Sequence, residues 1–398
     1  MSKVVFYSVP LYAHTIQTFP LVKEMVDRGE DIVYYSNRKF KEEIELTGAE
    51  FREYLSEYYN DPSDMIWRVD RYMPVVRNII QQELVNLKKI NPDYIIHDRN
   101  ALWAPIIAEK YNLATICTLS SIALNRTVTR LHPRMKRFKM YGSRLNLIPQ
   151  LFYSLSGMGK MMKIKRDFSF QGDINPITNA DLVLVNTSKE FQPFSDSFGD
   201  HYKFIGWVPS TEYRKGHDFP WEKITKDKLI YVSLGTTFNR NSSFYKSCFK
   251  AFKNLDLQVI MSIGKSKSLD LPLDVPDNIL LVDWVPQLEI LQHANVFVTQ
   301  GGSSSVSESL YFGCPVVVVP QMAEQHIIGY WVEKLKVGKQ FEGGKFTAKL
   351  MRSAVETVLD DPIYRQNSVK IGDSFKASGG VQYGVDEIYK FKETFNFR

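Results

Sequence analysis

Cysteine is scarce in this 398-residue sequence, and long apolar runs are missing from it. The cysteines Cys117, Cys248 and Cys314 are odd in number and far apart, so they form neither a disulfide framework nor a zinc-binding pattern. No segment approaches the ~20 apolar residues of a membrane span, and the N-terminus lacks the apolar stretch and cleavage site of a signal peptide. We therefore expect a cytoplasmic protein.

Two ligand-binding motifs are also missing. No G-x-G-x-x-G follows the first predicted strand, which argues against a dinucleotide site there. No Asp-x-Asp occurs, so the sequence does not predict a metal ion bridging carboxylates to a diphosphate, and we expect no metal and no cofactor. The formal net charge of +6 is mild and requires no nucleic-acid partner.

The features that are present indicate an α/β protein with two domains. A chain of 398 residues, 44% of them hydrophobic, is long enough for two separate cores. A strand at residues 4–8, a helix at 18–28 and a strand at 31–35 form a βαβ opening, which predicts a parallel sheet. The same pattern restarts at residues 229–234 and predicts a second parallel sheet. We expect a first domain over residues 1–208, a linker over 209–220, a second domain over 221–380 and a final helix over 381–398.

The most informative stretch of the chain is residues 284–325. Within it, the apolar strand at residues 296–299 is followed by Gly301 and Gly302, and a helix that opens with three serines comes next. A helix start attracts anions because its N–H groups are unpaired, and glycines let the backbone approach a bulky diphosphate. The pattern predicts an anion site. The alternative is that the serines only cap the helix.

Neighbouring residues extend this site to the other parts of a nucleotide sugar. Glu308 lies one turn into the helix, where its carboxylate could accept hydrogen bonds from ribose hydroxyls. Trp284 offers a flat face for a base, unless it belongs to the core. Glu324 and Gln325 follow the strand at residues 316–319, at the sheet edge where open α/β sheets bind ligands.

In its spacing, this stretch resembles the donor-sugar signature of the GT-B nucleotide-sugar-dependent glycosyltransferases, in particular the bacterial macrolide and flavonoid glycosyltransferases and their plant relatives. The signature W-x-P-Q, H-G-G-x-N-S-x-x-E, G-x-P and P-x-x-x-D-Q corresponds to residues 284–287, 300–308, 313–315 and 320–325. The resemblance runs along the whole chain. It implies two facing Rossmann-like domains with parallel sheets and an interdomain cleft, and a final helix that crosses back onto the first domain. The donor-binding residues that it implies are Thr236, Trp284, Val285, Gln287, Gln300, Gly302, Ser303, Ser304, Ser305, Glu308, Glu324 and Gln325.

Three positions depart from the family signature. Gln300 stands where the family has a phosphate-contacting histidine, Ser304 replaces asparagine, and Glu324 replaces aspartate. Gln300 can donate a neutral amide hydrogen bond, but it cannot become cationic. The departures bear on donor affinity and sugar choice more than on the fold.

Two residues of the first domain are candidates for catalysis. His14 follows the first strand, where a doubly wound sheet presents ligand-facing residues, and an imidazole can take a proton from an alcohol. Asp98 ends a strand at the position where the family carries an aspartate that orients this histidine. The alternatives are a structural histidine in a turn and an aspartate that caps the next helix.

The resemblance also implies a reaction. An inverting transferase would move a hexose, glucose from UDP-glucose, to a hydroxyl of a small lipophilic acceptor such as a macrolide, a flavonoid or another phenol, with a lipid also open. The UDP-sugar is then a co-substrate. A nucleotide-sugar epimerase or hydrolase of the same fold, and a non-catalytic nucleotide-sugar-binding protein, are alternatives. A nicotinamide oxidoreductase is disfavoured by the missing glycine motif.

A basic region over residues 126–166 contains eleven arginines and lysines and no acidic residue. Interleaved methionines and leucines fit a helical flap over the acceptor pocket. Contact with anionic lipid is a second interpretation, but a solvated basic surface explains the pattern at least as well.

Overall fold

Two parallel β-sheets, one in each half of the chain, form the framework of the protein. The computed structural model describes residues 2–54, 69–130, 159–172, 175, 177, 179–214, 218–235, 241–264, 275–321, 323–341 and 346–395. Most of the basic region predicted as a flap therefore lies outside the described residues. In the described part of the chain, no helix is both long enough and apolar enough to span a bilayer.

The strand order is the same in the two sheets where they can be compared. The first sheet contains β1 (Lys3–Tyr7), β2 (Asp31–Ser36), β3 (Glu50–Glu53), β4 (Tyr94–Asp98), β5 (Ala114–Leu119), β6 (Leu182–Val185) and β7 (Tyr202–Phe204). The second sheet contains β8 (Leu229–Ser233), β9 (Gln258–Ser262), β10 (Ile279–Val282), β11 (Val296–Thr299), β12 (Val316–Val318) and β13 (Gly338–Gln340). The spatial orders are β3-β2-β1-β4-β5-β6-β7 and β10-β9-β8-β11-β12-β13. Each sheet therefore has a switch point, between β1 and β4 in the first and between β8 and β11 in the second.

Helices cover both faces of each sheet. They are α1 (Tyr12–Thr15), α2 (Phe19–Asp27), α3 (Lys41–Leu46), α4 (Val69–Ile90), α5 (Ala104–Tyr111), α6 (Arg126–Arg130), α7 (Ser242–Phe252), α8 (Gln287–His293), α9 (Ser303–Tyr311), α10 (Ala323–Lys334), α11 (Ala348–Asp360), α12 (Pro362–Ala377) and α13 (Gly380–Thr394). Residues 159–167 are also helical. The prediction of two Rossmann-like α/β halves with parallel sheets is confirmed.

Alternate side chains of β1 show why the strands are apolar on both faces. Val5 and Tyr7 belong to a buried cluster with residues of α4 and α5. Val4 and Phe6 belong to a second cluster, with residues of α2 and α13. Because successive side chains of a strand point to opposite faces, a strand between two helical layers is apolar throughout.

Several elements were missing from the prediction. The edge strand β3 carries Glu50, Arg52 and Glu53, so its sequence lacks an apolar pattern, and its pairing with β2 defines it. Helix α4 contains Pro74, which disfavours a helix interior when the sequence is considered alone. Strand β5 was also missed, although it is buried at all six positions.

The last helix returns to the first half of the molecule. On α13, Val385 and Ile388 are buried in the cluster that also contains Leu21 of α2. An ion pair between Arg28 Nη1 and Asp386 Oδ1, 2.5 Å apart, joins the same two helices at the surface. The predicted domain boundaries at residues 208, 220 and 380 stay predictions.

Candidate active site

The site lies where the switch points of the two sheets face each other. His14 is in α1, which follows β1, and Asp98 is the last residue of β4. These two strands are neighbours, and Tyr7 pairs with His97 in their register. The segment Gln300–Gly302 follows β11, whose neighbour β8 leads into Gly235. The predicted catalytic residues and the predicted anion site therefore stand at equivalent edges of the two halves.

His14 and Asp98 form a hydrogen-bonded pair. The distance from His14 Nδ1 to Asp98 Oδ2 is 2.8 Å, and the side chains are 21% and 4% exposed. Asp98 Oδ1 accepts a second hydrogen bond, from the backbone N–H of Asn100 at 2.7 Å. An ionised carboxylate only accepts hydrogen bonds, so Nδ1 donates and Nε2 of His14 is left with a lone pair that can take a proton.

The residue before Asp98 has a different environment. His97 is fully buried, and its Nδ1 lies 3.1 Å from the backbone oxygen of Asp98. Burial lowers the pKa of His97 to about 4, so this imidazole is neutral near pH 7. Only His14, of these two histidines, combines a carboxylate partner with access to solvent.

The second switch point has the backbone geometry of an anion site. Gly301 has φ +87°, and a Cβ atom there would lie 2.5 Å from Val318 Cγ1. Both the left-handed backbone conformation and the lack of space for a side chain therefore require glycine. Gly302 is the N-cap of α9 and has no side chain with which to cap it. Ser303, Ser304 and Ser305 form the first turn of the helix instead, and the N–H groups at a helix start have no partner within the helix.

The amide of Gln300 lies between the two glycine turns. A Cβ atom at Gly235, where φ is +70°, would lie 2.8 Å from Gln300 Nε2. The other amide atom, Oε1, is buried, and no residue in the described part of the chain donates a hydrogen bond to it. The predicted donor residue Thr236, next to Gly235, lies outside the described residues. Gln300 thus presents an amide with unused hydrogen-bonding capacity where the family signature has a histidine.

Residues predicted to contact the base and the ribose lie beside α9. The Trp284 side chain is 43% exposed, whereas Val285 is buried in the core, so only its backbone could contact a ligand. Glu308 is buried, and Gln287 Nε2 donates to its Oε2 at 2.5 Å. Arg214 Nη2 donates to the other oxygen of Glu308 at 2.6 Å. The carboxylate predicted for ribose is therefore already held from both sides.

Comparisons with known proteins identify the family from sequence and the fold from structure. Residues 246–381 match the model of the erythromycin biosynthesis protein CIII-like C-terminal domain. The chain is 30% identical over 403 residues to the uncharacterized UDP-glucosyltransferase YojK of Bacillus subtilis strain 168, covering 98% of this chain and 97% of that protein. It is 23% identical to the oleandomycin glycosyltransferase of Streptomyces antibioticus, over 97% of this chain and 90% of the relative. The crystal structure of the glycosyltransferase of kitacinnamycin superposes with a TM-score of 0.82 at 24% identity, over 98% of both chains.

The chain belongs to the macrolide-type UDP-glycosyltransferases. It is a glycosyltransferase enzyme with the GT-B fold, and the resemblance found in its sequence is confirmed.

Gln17 and Arg99 of the first half of this glycosyltransferase reach predicted donor-binding residues of the second half across the cleft. Gln17 of the first half donates from Nε2 to Ser304 Oγ at 2.7 Å. Arg99, the residue after Asp98, has its Nη1 atom 3.9 Å from Glu324 Oε1 and also donates to Ser121 Oγ. The first contact reaches the serine turn, and the second reaches a residue predicted to hold the sugar.

The sequence prediction missed Gln17, Arg99 and Arg214 as site residues of the glycosyltransferase. Each makes its contact with a residue more than 90 positions away, so no local spacing identifies it. Gln325 lies in the first turn of α10, beyond β12, and its Oε1 accepts from the backbone N–H of Gln321 at 2.8 Å. The described residues hold no cluster of three or more His, Cys, Asp or Glu side chains placed to bind a metal ion.

Proposed function

We propose that the enzyme transfers a hexose, glucose from UDP-glucose, to a hydroxyl of a small lipophilic acceptor, a macrolide, a flavonoid or another phenol. The observation that carries this proposal is the contact of 2.8 Å between His14 Nδ1 and Asp98 Oδ2, at the edge of the first sheet that faces the serine turn of α9. The cytoplasmic location expected from the sequence is part of the proposal.

The transfer is a single displacement at the anomeric carbon. Nε2 of His14 takes the proton of the acceptor hydroxyl as the acceptor oxygen bonds to the anomeric carbon. The bond from that carbon to the diphosphate oxygen breaks at the same time, and UDP leaves with the electron pair. Attack from the side opposite the diphosphate converts an α-linked donor into a β-glycoside. Asp98 stabilises the imidazolium that forms.

The second half stabilises the leaving diphosphate. The N–H groups at the start of α9 and the hydroxyls of residues 303–305 face the negative charge that develops on it. The Gln300 amide can turn to donate from Nε2, which leaves the diphosphate with a neutral donor in place of a cationic one. Trp284 stacks on the base, and Glu324 and Gln325 bind sugar hydroxyls.

The names of relatives support UDP-glucose as the donor and do not narrow the class of acceptor. YojK is named a UDP-glucosyltransferase, and a second relative is an oleandomycin glycosyltransferase. A spinosyn rhamnosyltransferase, which shares the fold at a TM-score of 0.72 and 14% identity, was crystallised with thymidine diphosphate. A test of the donor must therefore include thymidine nucleotides as well as uridine nucleotides.

A two-dimensional substrate screen tests the proposal. Purified enzyme is incubated with phenolic, flavonoid and macrolide acceptors against UDP-glucose, UDP-galactose, UDP-N-acetylglucosamine and dTDP-glucose, and products are detected by mass spectrometry. We expect an acceptor mass increased by one hexose with UDP-glucose, and a β-anomer by proton NMR. Release of free glucose or formation of UDP-galactose without any glycoside would instead favour the hydrolase or epimerase alternative.

Replacement of the carboxylate tests the catalytic pair. Asp98→Asn keeps the size of the side chain but removes the charge that stabilises the imidazolium, so we expect kcat to fall about 10²-fold or more while UDP binding is retained. Asp386→Asn, which removes a half-exposed carboxylate on α13, is the matched control and should leave kcat unchanged. Unchanged kcat in Asp98→Asn would contradict the assigned role.

A further inference from the structure

Glu308 is a buried carboxylate whose charge is balanced by a residue from outside its own half. It lies in the second turn of α9, and its side chain is 5% exposed. Gln287 of α8 holds one oxygen, and the amide of Gln287 is itself fixed by Tyr231, whose hydroxyl donates to Gln287 Oε1 at 2.8 Å. The other oxygen is held by Arg214, which precedes β8 in the segment between the two sheets.

The Arg214 guanidinium is enclosed rather than solvated. Its side chain is 17% exposed, and its buried Nε atom has no hydrogen-bond partner among the residues that the structure describes. Burial alone lowers the pKa of Arg214, but Glu308 outweighs burial and the pKa is raised. The two residues therefore form a charged pair, in a place where desolvation of both ions offsets much of their attraction.

The first half of the molecule holds Arg214 in place. The turn Thr211–Tyr213 comes just before it, and the Tyr213 ring packs against Phe19 of α2 at 5.3 Å between centroids. The backbone that carries Arg214 is thus anchored to the first half, and the guanidinium reaches Glu308 from outside α9.

The connections of Glu308 indicate which part of the donor the pair serves. Glu308 lies on α9 one turn after the serines proposed for the diphosphate, and its partner Gln287 lies three residues after Trp284, proposed for the base. The part of a nucleotide that connects a base to a diphosphate is its pentose. An ionised carboxylate has about four lone-pair positions, so Glu308 keeps acceptor capacity after one hydrogen bond to each oxygen.

We propose that Arg214 is a positioning residue for the pentose: it holds the Glu308 carboxylate in its orientation, so that the donor site selects ribonucleotides over 2′-deoxyribonucleotides. This inference rests on the proposed function. A ribose presents two neighbouring hydroxyls to the carboxylate, whereas a 2′-deoxyribose presents one. Without the guanidinium, one oxygen of Glu308 loses its hydrogen-bond donor, and the carboxylate is free to turn away from the pentose.

Calorimetric binding of UDP and 2′-deoxy-UDP separates this role from general support of the fold, because the two ligands differ only in one hydroxyl. We expect the wild type to bind UDP at least about tenfold more tightly, the effect of one hydrogen bond to a charged group. Arg214→Gln and Arg214→Met should reduce this preference to about twofold, mainly by weakening UDP, and Arg214→Lys should retain most of it. Arg77→Met, which removes an arginine paired with Asp167 at 2.9 Å at the surface, is the control and should keep the wild-type ratio.

The outcomes distinguish this inference from the proposed function. If the neutral variants weaken both ligands equally, Arg214 is structural and the inference is overturned. If the wild type binds both ligands equally, the inference fails while the proposed transferase stands. If the wild type binds neither, the proposed uridine donor itself is wrong. Thermal unfolding without ligand shows which neutral variant folds, and the ratio is read from that variant.

Discussion

The two halves of the glycosyltransferase share a strand order but carry different groups at their switch points. Between β1 and β4 stands an imidazole with a carboxylate partner, and between β8 and β11 stand two glycine turns and the start of α9. The strand order explains why both sites lie at the carboxyl edge of a sheet. The side chains decide which edge handles a proton and which handles an anion.

The two buried carboxylates of the site sharpen this comparison. Asp98 accepts from His14 and from the backbone of Asn100, whereas Glu308 accepts from Arg214 and Gln287. An imidazole gains and loses a proton near neutral pH, but a guanidinium stays charged. A buried carboxylate therefore supports a group that can exchange a proton in the first half, and a group of permanent charge in the second.

The largest expected effect separates the two halves functionally. His14→Ala removes the proposed base, so we expect kcat to fall about 10³-fold, within the range for general-base catalysis. The affinity for UDP, measured by calorimetry, should stay at the wild-type value because the donor site lies in the other half. A large loss of UDP affinity together with the fall in kcat would show that catalysis and donor binding are not divided between the two halves.

The next effect concerns His97, the residue before Asp98, and is a loss of stability at low pH. Unfolded His97 takes up a proton near pH 6.5, but the folded, buried residue does so only near pH 4. Between these values the unfolded state binds more protons, so stability is present above about pH 6.5 and is lost as the pH falls. We expect His97 to reduce the free energy of unfolding by about 3 kcal/mol between pH 7 and pH 4.

Urea unfolding at pH 7, 5.5 and 4 measures this effect. His97→Asn should flatten the pH dependence of the free energy of unfolding relative to the wild type. Replacement of the exposed His201 by asparagine should leave that dependence unchanged. Equal slopes for the wild type and His97→Asn would show that His97 does not stay neutral in the fold.

A smaller effect on stability is expected at the glycine turn of the second half. Gly301→Ala places a Cβ atom 2.5 Å from Val318 Cγ1 in a left-handed conformation, so we expect a loss of about 2 kcal/mol and weaker UDP binding. At Gly159 an added Cβ atom meets nothing within 4 Å, so Gly159→Ala is the control. Equal stability of the two variants in urea would mean that the turn is not constrained as described.

The smallest effect tests whether the two halves act together. Gln17→Ala removes the hydrogen bond to Ser304 across the cleft, and we expect the KM for UDP-glucose to rise about fivefold, equivalent to about 1 kcal/mol. A double-mutant cycle with Ser304→Ala should give a coupling energy above about 0.5 kcal/mol. Strictly additive effects would indicate that this contact does not serve donor binding.

Sequence patterns predicted the framework of the fold well because they depend on local periodicity. The strand at residues 296–299 has the predicted bounds, and the helix that opens with Ser303 begins where expected. The edge strand β3 and helix α4 were missed because pairing and packing, rather than local pattern, define them.

The candidate site was predictable only in part. His14 and Asp98 follow from their places at strand ends, and the glycines and serines follow from their spacing in one short stretch. Gln17, Arg99 and Arg214 could not be predicted, since each contributes through a partner in the opposite half or across the linker. Contacts between distant segments leave no periodic trace in a single sequence.

A crystal structure of the enzyme with UDP tests the central claim most directly. The account predicts the diphosphate at the start of α9, beside Gly302 and Ser303, with Nε2 of His14 facing it across the cleft. Density for UDP at any other place, or a closed complex in which His14 points away from the cleft, would contradict it.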